Sequence, residues 1–89
     1  MTEEARQAKL ATLQALLEHD LSNAKWEKSL FSSGGSGDCL EVTHVPEVGG
    51  WIMRHSILTG HLIPLTDAEY KKYCLAVQAK QPGLVPGGA

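Results

Sequence analysis

Leu10, Leu13, Leu17, Leu21 and Ala24 step by 3, 4, 4 and 3 residues, which gathers them on one face of a helix. Thr2 supplies a capping hydroxyl, Glu3 and Glu4 suit the positive end of a helix dipole, and no Gly or Pro interrupts the run. The pattern predicts a helix over residues 2–24. His19 and Asp20 break the next heptad positions, so a long coiled coil is not expected. A stripe this rich in leucine has to cover something, either the sheet that follows or the same helix in another copy.

Period two takes over after that. Trp26 to Phe31 reads as a short first strand. Leu40, Val42 and His44 alternate with Cys39, Glu41 and Thr43, the signature of a strand with one wet face. Pro46 to Gly50 form a turn. Trp51, Met53 and His55 then lie on one side of a strand, with Ile52, Arg54 and Ser56 on the other. Leu58 to Gly60 make a tight turn into His61–Leu65, where Pro64 has no ladder donor and marks an edge strand. Thr66-Asp67-Ala68-Glu69 reads as a capping box, and Tyr70, Tyr73, Cys74 and Val77 follow at helical spacing until Pro82 and Gly83 end the helix.

The predicted fold is α+β: an N-terminal helix, a three- to four-stranded antiparallel sheet and a C-terminal helix. Residues 1–25 form the first helix and a candidate dimerisation element. Residues 26–80 form the sheet and its covering helix, and residues 81–89 a mobile tail.

Composition narrows what such a fold does. Eighty-nine residues make a single small domain with a thin core. Eight basic against ten acidic residues leave a net charge of −2, spread evenly along the chain. No basic patch stands out, which argues against direct nucleic-acid binding. No apolar run is long enough to span a membrane and no leader pattern is present, so a cytoplasmic location is expected. Cys39 and Cys74 are then expected to stay reduced.

Candidate chemistry is sparse. The Ser/Gly run from Ser32 to Gly37 lacks the Lys of a phosphate-binding loop and leads into a strand, so it reads as a flexible hairpin loop. The closest potential metal-ligand pairs, His55 with His61 and Cys39 with His44, lack a recognised zinc spacing. Strand pairing leaves open whether His44, His55 and His61 meet. Neither cysteine has an identifiable orienting group or oxyanion hole nearby. No catalytic residue, metal or cofactor is therefore assigned, and the chain is expected to be non-enzymatic.

Apolar surface gives the clearer signal. Trp51, Ile52 and Met53 put apolar groups on both faces of one strand, which is usually covered on each side. With the Leu10, Leu13, Leu17 and Leu21 stripe, they are the candidate burial sites between chains. Arg54 is expected to be solvated or paired with a carboxylate such as Glu41 on the neighbouring strand. Arg54, Glu41 and His55 are the candidates for partner specificity.

An ordered series of short motifs extends over residues 26–77: Trp26, Lys28-Ser29, Phe31-Ser32, the Ser33–Gly37 loop, Cys39-Leu40-Glu41-Val42, Arg54-His55-Ser56, Ile63–Leu65 and Tyr70. In that order and spacing the chain resembles the small actinobacterial family that includes the Streptomyces developmental regulator BldB. His55 stands where that family usually has Asp, Ile57 where it has Lys, and Tyr70 where Trp is common. The polar strip of the family is thereby shifted towards neutral and apolar character. The N-terminal helix lies outside the shared segment.

The resemblance implies an accessory protein that accompanies a helix-turn-helix transcription factor and affects development, such as sporulation, or antibiotic production. It also implies action through protein contact and self-association as a homodimer. Two other classes compete: a direct nucleic-acid-binding regulator, and a small toxin or metal-binding protein.

Overall fold

The computed structural model describes residues 1–29 and 40–87. The Ser/Gly loop, Phe31 and Cys39 lie outside the described residues, as do the last two positions. Helix α1 (Glu3–Glu18) is followed by strands β1 (Glu27–Lys28), β2 (Leu40–Val45), β3 (Gly50–His55) and β4 (Leu62–Thr66), and by helix α2 (Asp67–Gln78). The strands form one antiparallel sheet in the order β1-β2-β3-β4, which is the expected α+β arrangement with β4 at an edge.

Both helix starts follow the sequence signals. The Thr2 hydroxyl accepts from the Ala5 amide, and the capping box at Thr66 is complete, with Glu69 returning to the Thr66 amide at 3.0 Å. The ends depart from expectation. Helix α1 stops at Glu18, six residues before Ala24, because His19 turns extended and the Asp20 carboxylate takes the Ser22 amide at 3.0 Å. That bond also holds the Asp20 carboxyl below the usual carboxylate range. Helix α2 closes with two bonds, Lys80 amide to Val77 carbonyl and Gln81 amide to Ala76 carbonyl, a Schellman closure. Its left-handed position is held by Lys80 at φ 56° where glycine is usual.

Register assigns every strand residue to a face. Val45–Gly50–Thr66, Thr43–Ile52–Pro64 and Glu41–Arg54–Leu62 are rows on one face; His44–Trp51–Leu65, Val42–Met53–Ile63 and Leu40–His55 are rows on the other. Helix α1 covers the first face, where Leu16 and Ile52 are 0% exposed and pack with Val45, Leu13, Leu21, Trp26, Val48 and Leu62. Helix α2 lies on the opposite face, where the Tyr70 ring stacks on Trp51 at 4.3 Å. Leu16, Val45 and Ile52 are the only fully buried hydrophobic residues among those described.

The outer face of β2 corrects the expectation of polar residues outside. Glu41 and Thr43 are buried under α1 at 5% and 3% exposure, while Leu40 is open to solvent. Each buried polar group brings its own partner: Arg54 for Glu41, and the Lys25 carbonyl for the Thr43 hydroxyl at 2.9 Å.

The free edge of the sheet is blunted. Asp67 donates its amide to the Gly49 carbonyl, which places Gly50–Thr66 and Ile52–Pro64 at non-hydrogen-bonded positions of the ladder. The nitrogen of Pro64 therefore faces outward and offers no donor. The outward amide of Thr66 is already taken by Glu69. Two of the three outward-facing nitrogens of β4, counting Leu62, Pro64 and Thr66, are thus closed to an added strand. Among the described residues, no helix is long and apolar enough to cross a membrane.

Candidate interaction surface

The face under α2 carries a cluster of uncovered apolar side chains, Leu40, Ile63, Tyr73 and Val77. Its upper row is closed: Trp51 sits between His44 at 4.4 Å and Tyr70 at 4.3 Å, both near-parallel to it. The His44 ring also meets the Asp67 carboxylate at 3.2 Å, tying β2 to the first turn of α2. Burial, and then the neighbouring Cys74 thiol, push the Tyr70 phenol above its ordinary range. Both faces of the indole are occupied, so Trp51 holds α2 to the sheet and presents no open ring face to a partner.

Below that row α2 drifts away from the strands. Val42, Met53, Leu40, Tyr73, Cys74 and Val77 line a groove of about 440 Å³ whose floor is apolar and whose outer rim holds Glu27, Lys28, Ser29 and Gln78. Ile63 continues the Val42–Met53 row across β4 and is exposed, and Ile57 and Leu58 stand bare in the β3–β4 loop. No residue of α2 is fully buried. This helix fastens one end of the sheet and leaves the other end open.

The remaining candidates divide between the two faces. Met53 lies on the groove floor, and His55 ends the lowest row, where its Nδ1 accepts the Ile57 amide at 3.0 Å. Ile52 and Glu41 are enclosed by this chain's own α1, so neither reaches a partner. Arg54 is pinned to Glu41 at 2.7 Å, the second of the two arrangements the sequence left open, with its guanidinium 3.7 Å above the Trp26 ring. The pair is therefore structural in its placement.

On α1 the stripe splits. Leu13 and Leu21 pack against the core, whereas Leu10 and Leu17 remain exposed along the flank. The inward role belongs to Leu16, which the chosen spacing passed over. Leu13 and Leu16 repeat at i and i+3 as well as Leu10 and Leu13 do, and the sequence held no signal to separate the two faces.

Among the described residues, no group of three or more His, Cys, Asp or Glu is arranged to hold a metal ion. His44 and His55 lie on the same face but at opposite ends of the sheet, opposite Trp51 and Leu40 respectively. Glu69 shares its carboxylate between the Thr66 amide and Lys9 of α1 at 3.1 Å. The Thr66 amide is the main cause holding the Glu69 carboxyl below its ordinary range; burial opposes it, and Lys9 adds to the lowering. No protein-family model matches this chain, nor does any curated protein or solved structure.

Proposed function

We propose that this protein is a non-enzymatic accessory module whose open sheet face receives a segment of another polypeptide. The observation that carries the reading is the half-buried Val42–Met53 pair on the groove floor, continued by exposed Ile63, with Leu40, Tyr73 and Val77 exposed around it. Burying a mid-sized apolar side chain of this kind is worth about 1.5–3 kcal/mol each, so a partner seated here gains a well-packed centre. The resemblance over residues 26–77 supports a helix-turn-helix transcription factor as that partner, with a regulatory role in development or antibiotic production. Leu10 and Leu17 on the α1 flank support self-association as a homodimer.

The test takes a helix-turn-helix regulator from the gene neighbourhood of this chain, and a neighbourhood that encodes none counts against the assignment. Calorimetric titration should give a saturable complex that Met53→Glu and Val77→Glu each weaken by about tenfold or more. Circular dichroism of the variants should stay that of the parent. No complex with the regulator, or full affinity in both variants, overturns the assignment. A duplex-DNA gel shift by the isolated protein would instead favour the nucleic-acid reading. For the homodimer, light scattering should report twice the chain mass, reduced to the single mass by Leu10→Glu with Leu17→Glu. A single-chain mass for the parent at micromolar concentration removes that part of the proposal.

A further inference from the structure

The side of α2 turned away from the sheet has a composition of its own. Ala68, Lys71, Lys72, Leu75 and Ala79 are all exposed, and they fall on one helical face by their spacing around Leu75. Leu75 is 54% exposed at its centre, with alanines a turn or more away on either side. Lys71 and Lys72 lie one turn before it, and Lys80 stands just past the helix end. Among the described residues none of these three lysines is paired with a carboxylate. The nearest candidates are engaged elsewhere: Asp67 meets His44, and Glu69 meets Lys9 and the Thr66 amide. Two uncompensated cations therefore flank Leu75 and a third stands past the helix end, on a chain whose net charge is −2.

We propose that this face is a second docking surface, separate from the groove, and that it takes an acidic amphipathic helix. Small side chains at Ala68 and Ala79 let another helix approach closely, and Leu75 then meets its apolar stripe. Lysines on both sides of the leucine match carboxylates placed along the edges of such a stripe. Phosphate backbones fit less well, because the centre of the surface is a leucine and only three cations surround it. The inference does not depend on what the groove binds, since the two surfaces are on opposite sides of α2.

A synthetic helix of about 18 residues, with leucine at i, i+3, i+4 and i+7 and glutamate on the flanks, serves as the probe. Titrated into the full ¹⁵N-labelled chain, it should shift the amides of Lys71, Lys72, Leu75 and Ala79 and leave those of Val42 and Met53 unmoved. Lys71→Glu with Lys72→Glu should weaken binding about tenfold or more, and Leu75→Ala about severalfold. Raising NaCl from about 50 to about 500 mM should weaken it further. All three substitutions are on exposed positions, and thermal melts check that each variant folds. No shift on the outer face at about 1 mM probe, or equal affinity in the lysine variant, overturns the proposal. So does transfer of the lysine dependence to anionic lipid vesicles or duplex DNA in place of the peptide.

Discussion

Gly50→Ala is expected to lower the stability of this protein by about 2–3 kcal/mol, although the change adds one methyl group. Gly50 opens β3 between Val45 and Thr66, and its backbone has no positive φ, so conformational freedom is not what the position needs. It needs space. A Cβ there would stand 2.5 Å from the Leu65 carbonyl oxygen and 2.6 Å from Leu16 Cδ1. Leu16 is the one fully buried residue of α1, so moving it disturbs the core it packs against. The Leu65 carbonyl belongs to the neighbouring strand, so relieving that contact means parting β3 from β4. In a domain of this size the loss corresponds to a fall in melting temperature of about 10–20 °C.

Two controls separate this from a general intolerance of alanine. Gly60→Ala should be neutral, because nothing lies within 4 Å of a Cβ at that position. Leu16→Ala should cost about 2–5 kcal/mol alone and should fail to rescue Gly50→Ala, since it leaves the Leu65 oxygen in place. Urea unfolding of the parent, the three single variants and the Leu16→Ala, Gly50→Ala double variant measures all of this. A Gly50→Ala variant as stable as the parent would mean that α1 does not lie against the start of β3.

The same contact explains which parts of the fold were legible in the sequence. Strand phases were readable because a period of two leaves little choice: Trp51 and Met53 do face away from Ile52 and Arg54. The capping box was readable because its two bonds join residues three apart. Sidedness was not. The α1 sequence offers leucines at 10, 13, 16, 17 and 21, a stripe broad enough to bury in two orientations. The missing side chain at Gly50 leaves the room that Leu16 fills, and that is a property of a residue far along the chain. Nor does alternation find the inward side of β2: Leu40 and Val42 are its apolar phase, yet Glu41 and Thr43 are the buried residues. Polar residues go inside here only because register sets Glu41 opposite Arg54 and brings Lys25 to Thr43. The candidate surface inherits that uncertainty: Ile52 and Glu41 look outward in the sequence, while Tyr73, Val77 and Ile63 look like ordinary core.

Arg54→Ala should be the most damaging single change on the α1 face, at about 3–5 kcal/mol. The Glu41 carboxylate side chain is 6% exposed, and its bond to Arg54 Nε is 2.7 Å long. Removing the guanidinium strands a buried carboxylate beneath α1, and it also uncovers the Trp26 ring that the guanidinium covers at 3.7 Å. Glu41→Leu in the parent should cost less than Arg54→Ala, because Arg54 retains Trp26 and reaches solvent along its 22% exposed side chain. Glu41→Leu combined with Arg54→Met should recover most of the loss, since two apolar side chains of similar length can fill the row beside Leu62. A double-mutant cycle by chemical denaturation, with Arg54→Met and Glu41→Leu as its single variants, reads the coupling, expected at about 2 kcal/mol or more. A double variant no more stable than Arg54→Ala would show that the row needs the charges themselves, and the account of Glu41 as a paired but replaceable core residue would fall. Recovery would instead assign the pair to register: it holds β2 and β3 in the alignment that leaves Val42, Met53 and Leu40 together on the open face.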